Sequence, residues 1–229
     1  AQLPESGPGW QAMRLSRNRR WGHPETVAFV ERLAGAAQAL GWPSILVGDL
    51  AQPRGGPMTF GHASHQNGLD VDIWLRRPDG PLDAETRETL PFVSKVRPDR
   101  RGVADAFGPD HAALIETAAR DRSVDRIFVN AAIKASLCRS AGADREWLRR
   151  VRPWWGHDQH FHVRLRCPAD SPDCAGQAAL PPGDGCDETL EWWFSDEALN
   201  PAPPPTPAPP RRDLTLADLP AACAALVGR

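Results

Sequence analysis

Two stretches decide the fold of this chain: Gly61-His62-Ala63-Ser64-His65-Gln66-Asn67-Gly68-Leu69-Asp70-Val71-Asp72-Ile73-Trp74, and His157-Asp158-Gln159-His160-Phe161-His162-Val163-Arg164-Leu165-Arg166. In the second, polar and apolar residues alternate from His160 to Arg166, the period of a half-buried strand. Side chains two apart on a strand share a face. His160 and His162 therefore point one way, and Phe161, Val163 and Leu165 point into the core. In the first stretch, Leu69, Val71, Ile73 and Leu75 make one face and Asp70, Asp72 and Trp74 the other. As antiparallel neighbours, the two strands bring Asp72 and His162 within reach of one metal ion.

His65 precedes its strand in a loop opened by Gly61 and closed by Gly68, where it can fold back over the same face. Catalytic zinc takes three protein ligands and keeps a further position for water. His65, Asp72 and His162 supply such a set, with one carboxylate partly neutralising the dication. His160 is left beside the metal, free to handle protons. Alone, a His-x-His strand also fits a surface pair or a structural zinc clip. The combination, with His157 as a third histidine nearby, points to catalysis.

The spacing of His65 and Asp72, together with His160-x-His162, resembles the metallopeptidase group that includes lysostaphin-type enzymes, D-alanyl-D-alanine peptidases and the hedgehog domain. Within that group the chain is most similar to the penicillin-insensitive murein endopeptidases of Gram-negative bacteria. The likeness is carried by Gly61-His62-Ala63-Ser64-His65 running into Gly68-Leu69-Asp70-Val71-Asp72-Ile73, by Ile127-Phe128-Val129-Asn130-Ala131-Ala132-Ile133-Lys134, by Val151-Arg152-Pro153-Trp154 and by His162-Val163-Arg164-Leu165-Arg166-Cys167-Pro168. It runs from about Trp10 to about Phe194.

This resemblance implies a zinc enzyme that cleaves peptide cross-links in peptidoglycan, chiefly the D-alanyl-to-diaminopimelate bond. It implies His65, Asp72 and His162 as metal ligands, His160 as the catalytic histidine and His157 as a second histidine beside it. His62 and Asp99 fall where the family can bind additional metal. The family pattern has a histidine three residues after that aspartate, whereas Asp99-Arg100-Arg101-Gly102 ends in glycine. The alternative is a non-catalytic peptidoglycan-binding module with a structural metal. His160 and His157 beside a three-ligand site favour the enzyme.

The 229 residues, 41% of them hydrophobic, can build one full core. A formal net charge of -2 gives no electrostatic argument for nucleic acid or an anionic membrane surface. No run of about 18 apolar residues is present, so no membrane span is expected. The chain opens on Ala1-Gln2 without a basic and apolar leader, as expected of a mature terminus after removal of a signal peptide.

None of the cysteines forms a Cys-x-x-Cys pair, which argues against a thiolate zinc site. Cys167 and Cys174 flank a short loop and look like a local staple. Cys138 and Cys186 would then pair at longer range, leaving Cys223 unpaired. Free buried cysteines are the alternative. Disulfides would place the protein in an oxidising compartment such as the periplasm.

Helices are expected over Pro24 to about Leu40, Asp110 to about Ala119 and Ala131 to about Ser140, with short strands at Ser44–Val47 and Arg126–Val129. The expected class is α+β, an antiparallel sheet with helices packed on one side. Residues 1–199 form the zinc peptidase domain, 200–213 a Pro-rich linker and 214–229 a C-terminal helical segment. Nine Trp and no Tyr complete the picture. Sugar stacking is one role for Trp154, Trp155, Trp192 and Trp193, and packing is the other. With tyrosine absent, histidine, arginine or the metal itself must polarise a scissile carbonyl, and His157 and His160 are the natural candidates.

Overall fold

The computed structural model describes residues 1–58, 62, 64–201, 215–218 and 221. At its centre lie two antiparallel strands, β4 (Asp70–Trp74) and β7 (His160–Leu165), with Asp72 opposite His162 and Trp74 opposite His160. Phe161, Val163 and Leu165, with Val71 and Ile73, are fully or almost fully buried in the main core, as the alternation requires. A slip of one residue would turn both sets of side chains over, so this apolar face is what sets the pairing.

Outside this pair the sheet has the order β1-β2-β3-β4-β7-β5-β6, where β1 is Ser6–Gly7, β2 Trp10–Ala12, β3 Ile45–Val47, β5 Val124–Val129 and β6 Val151–Pro153. The class is α+β, but the sheet is mixed rather than antiparallel: β2 runs parallel to β3, and β5 parallel to β6. The reason is local. Parallel neighbours need a crossover, usually a helix, and α1 (Pro24–Ala39) connects β2 to β3 while α4 (Ala131–Ser140) connects β5 to β6. The sequence reading contained both helices and one strand of each unit. The partner strands are three residues long and carry no periodic signal.

Helices α1 and α3 (Pro109–Arg120) and α4 bury Phe29, Val30, Leu33, Leu114, Ile115, Ile133 and Leu137 in that same main core. Their starts are capped by side chains. His23 accepts from Glu25 N at 3.2 Å ahead of α1, and Asn130 accepts from Ala132 N at 3.0 Å ahead of α4. A second, smaller cluster of Met13, Leu46 and Trp74 packs against Leu82 and Leu90, the residues flanking a further helix, α2 (Ala84–Thr89). Every residue of β4 is consequently buried.

Two disulfides, Cys138–Cys186 and Cys167–Cys174, join the pairs expected from spacing. The first ties α4 to the segment ahead of α5 (Glu188–Glu191) and α6 (Asp196–Leu199). Cys223, most of the Pro-rich stretch 200–213 and most of 214–229 lie outside the described residues. Among the described residues, no helix is long and apolar enough to cross a membrane.

At the start of α3, His111 Nδ1 accepts a hydrogen bond from Gly108 N at 3.1 Å. Its ring packs on Trp42 and Phe107. Burial, reinforced by the charge of Lys95, pushes its pKa down to about 4. A nitrogen already accepting a bond resists a proton, which acts in the same direction.

Two outcomes follow for stability. Removing Cys138–Cys186, whose partners are 48 apart in sequence, should cost about 4 kcal/mol, and removing Cys167–Cys174, 7 apart, about 2–3 kcal/mol. Urea midpoints of the paired Cys→Ser variants measure this. His111 is neutral in the fold down to about pH 4 but charges near pH 6.5 when unfolded, so it removes stability as pH falls through that window. His111→Gln keeps a capping acceptor without the titration, and its melting temperature should fall less than that of the parent between pH 7 and pH 4.

Candidate metal and catalytic site

The polar face of the β4–β7 pair carries the site. His162 enters from β7 and Asp72 from β4, directly opposite each other. His65 comes from the β3–β4 loop, where its backbone is left-handed at φ 63°, a region few non-glycine residues occupy. Two bonds hold it there: its amide donates to Asp70 Oδ2 at 3.1 Å, and its ring Nδ1 lies 3.1 Å from Leu50 O. Gly48 allows the close approach of the neighbouring chain. A Cβ at that position would meet Trp74 Nε1 at 2.9 Å and Asp72 Cβ at 3.1 Å.

The hydrogen bonds define the tautomers. A carbonyl and a carboxylate can only accept. His65 Nδ1 therefore donates to Leu50 O, and His162 Nε2 donates to Asp70 Oδ1 at 2.7 Å. When both rings are uncharged, the remaining nitrogens, His65 Nε2 and His162 Nδ1, carry lone pairs, and they face each other at 3.2 Å. Asp72 Oδ1 lies 3.4 Å from the first and 3.5 Å from the second. It is buried and makes no hydrogen bond among the described residues.

With both imidazoles uncharged, as metal ligation requires, three acceptors converge with no donor between them. Their separations are close to the edge of a tetrahedron with ligands about 2.1 Å from its centre, about 3.4 Å. Such a donor set fits a metal ion. The electrostatics express the same demand for a cation. Burial opposes charge on His65, yet Asp72, Asp70 and Asp49 outweigh it and raise its pKa. Burial also opposes ionisation of Asp72, but His160, His65 and His162 hold it well below the ordinary carboxylate range. His162 goes the other way: burial lowers its pKa against the pull of Asp70.

Asp70 shares the polar face of β4 but has a different task. It is fully buried, bonds His162 Nε2, and takes Arg164 in a two-pronged pair at 2.5 and 2.7 Å. Despite burial, these partners hold its carboxyl below the usual range. Carboxylate support of this kind fixes the orientation of a liganding imidazole.

His62 Nε2 sits 3.1 Å from Asp49 Oδ2 and 3.6 Å from Asp72 Oδ2. With His65 and Asp72 it forms a group whose ligand atoms lie within 4.8 Å of one another. Asp49 is buried and paired with Arg17 and Arg19 at 3.1 and 2.9 Å. Sequence reasoning passed over Asp49, which stands two residues beyond β3 without any pattern to mark it. Asp99 is not drawn in: its carboxylate contacts are with Arg97 and Arg101 in an exposed loop.

His160 Nε2 reaches within 3.7 Å of Asp72 Oδ1 and is partly exposed. His157 follows Gly156 in a turn, left-handed at φ 51°. Its Nδ1 bonds Trp155 O at 2.8 Å, and its carbonyl accepts from Asn130 N at 2.9 Å. The ring lies 5.1 Å from that of His160 and 5.9 Å from that of His162. Burial, then the neighbouring His160, pushes its pKa down to about 4, so at neutral pH it is an uncharged ring with Nε2 free to accept.

The geometry is that of a buried metal-type donor set with two further imidazoles at its edge. The description "Penicillin-insensitive murein endopeptidase" belongs to the family profile that matches residues 1–228. A protein of that name from Haemophilus influenzae is 49% identical over 193 residues, 84% of this chain and 68% of the relative. Those from Klebsiella pneumoniae and Salmonella paratyphi B are 44% and 45% identical, each over 98% of this chain and 80% of the relative. The chain belongs to the penicillin-insensitive murein endopeptidase family.

Proposed function

We propose that this protein is a zinc-dependent endopeptidase that hydrolyses peptide cross-links of peptidoglycan at the D-alanyl-to-diaminopimelate bond, in the periplasm. The observation that carries the reading is the unpartnered Asp72 Oδ1 between two lone-pair nitrogens, with His160 open at its edge. His65, Asp72 and His162 would hold the zinc, with His62, grouped with His65 and Asp72, as a further donor. Two disulfides suit an oxidising compartment.

Zinc held by these residues would supply Lewis acidity for the scissile carbonyl and for a water near neutral pH. Hydrolysis adds water across the C–N bond, so one proton must leave the water and reach the departing amine. His160 carries that proton. Its ring is accessible and stands against Asp72, where an imidazole can take a proton at one moment and return it the next. His157 works as a neutral partner. Its Nδ1–H is committed to Trp155 O, so its Nε2 accepts hydrogen bonds and does not serve as an oxyanion donor. A module that only held metal for structure would have no use for an accessible imidazole here.

Three measurements test this. Purified protein should release soluble fragments from cross-linked peptidoglycan, a chelator should stop it, and mass spectrometry should find cleavage at the D-alanyl-to-diaminopimelate bond. Metal analysis should find His162→Ala strongly depleted in zinc; full occupancy would remove His162 from the ligand set. His160→Ala should keep its zinc and its melting temperature but lose about 10²–10⁴ in rate. Near-parent turnover by that variant would assign the proton transfer to another group.

A further inference from the structure

The site opens onto an aromatic surface that the reaction does not require. From His162 the rings run outward through Phe128 (5.5 Å), Trp154 (5.7 Å), Trp155 (5.5 Å) and Trp192 (6.1 Å), with Trp193 4.5 Å from Trp155. Trp154, Trp155 and Trp192 are 49%, 51% and 42% exposed. Contiguous exposed apolar surface of this kind is rare without a partner. The patch is also tied to the catalytic edge, because the carbonyl of Trp155 holds His157 Nδ1.

We infer that Trp154, Trp155, Trp192 and Trp193 form a stacking platform for the N-acetylated sugar rings attached to the cross-linked peptides. The inference rests on the proposed function and names a second part of its substrate. Stem peptides of a few residues, at about 3.3–3.6 Å each, keep the sugars close to any cross-link held in the site. The continuity of the rings with His162 and His157 lies along that span. The chemistry of the patch selects a neutral occupant. Indole offers a flat apolar face to the C–H side of a pyranose and an N–H donor to its polar substituents. The short 3-10 helix that carries Trp192 and Trp193 is flanked by exposed Asp187, Glu188, Glu191 and Glu197, while Asp196 is paired with Arg101 at 3.3 Å, and the acidic excess disfavours anionic lipid and nucleic acid.

The experiment uses the zinc-loaded full chain and two soluble substrates: a cross-linked peptide dimer carrying its disaccharides, and the same dimer stripped of sugar. The parent enzyme should show a lower KM for the sugar-bearing dimer. It should also bind an N-acetylglucosamine tetramer, read by calorimetry and by NMR saturation transfer. Trp192→Ala should raise KM for the sugar-bearing dimer about five- to tenfold, as expected for loss of one aromatic contact. It should leave KM for the stripped dimer alone, and Trp192→Phe should restore part of the loss. Near-ultraviolet circular dichroism and melting temperature check that the variants fold. Equal KM values for both dimers, with no tetramer binding, would overturn the platform and leave the endopeptidase reading standing. Tetramer binding without cleavage of either dimer would sustain the platform and overturn the reaction instead.

Discussion

Everything at the centre of this molecule depends on the pairing of Asp72 with His162 across β4 and β7. The strand period is two, so the register that buries Phe161, Val163 and Leu165 on one face must put His160 and His162 on the other. Apolar burial and site assembly are therefore a single constraint. A shift that misplaced the donors would also expose the core, and no separate device is needed to keep Asp72 opposite His162. β5 adds to the same face by placing Phe128 opposite His162, where its ring closes one side of the imidazole.

Much of this was legible in the sequence because alternation is a strong signal. The faces of both central strands, the three long helices and the two disulfide pairs came from pattern and spacing alone. What escaped lacked a pattern. The short strands β2 and β6 each pair with a neighbour through a helical crossover, and missing them hid the parallel edges of the sheet. Asp70 and Asp72 share a face and a residue type, and periodicity cannot assign their separate roles. Their cross-strand partners can: Asp70 lies opposite Arg164 and takes a guanidinium, whereas Asp72 lies opposite His162 and is left with an unpaired oxygen.

Asp49 shows a further limit. It reaches the site because Asp72 N bonds its carbonyl at 3.1 Å, which extends the β3–β4 pairing past the end of β3. Its buried carboxylate would be costly alone. Arg17 and Arg19 offset its charge from one side and His62 meets it from the other. Those arginines precede α1 and have no relation in sequence to the histidine motifs.

Strand alternation can aim only the residues that lie on strands. His65 and His157 lie on turns, and both take left-handed backbone angles, a conformation that costs about 1–3 kcal/mol in a non-glycine residue. Each is pinned twice, once through its backbone and once through its ring. For His65 the anchors are Asp70 and Leu50, and for His157 they are Asn130 and Trp155. A residue held at only one point could relax by rotating its ring or its peptide, and the strain would be relieved. Held at both, the imidazole keeps its tautomer and its direction. The two strained turns therefore complete the site by adding rings from outside the sheet to the pair that β7 supplies.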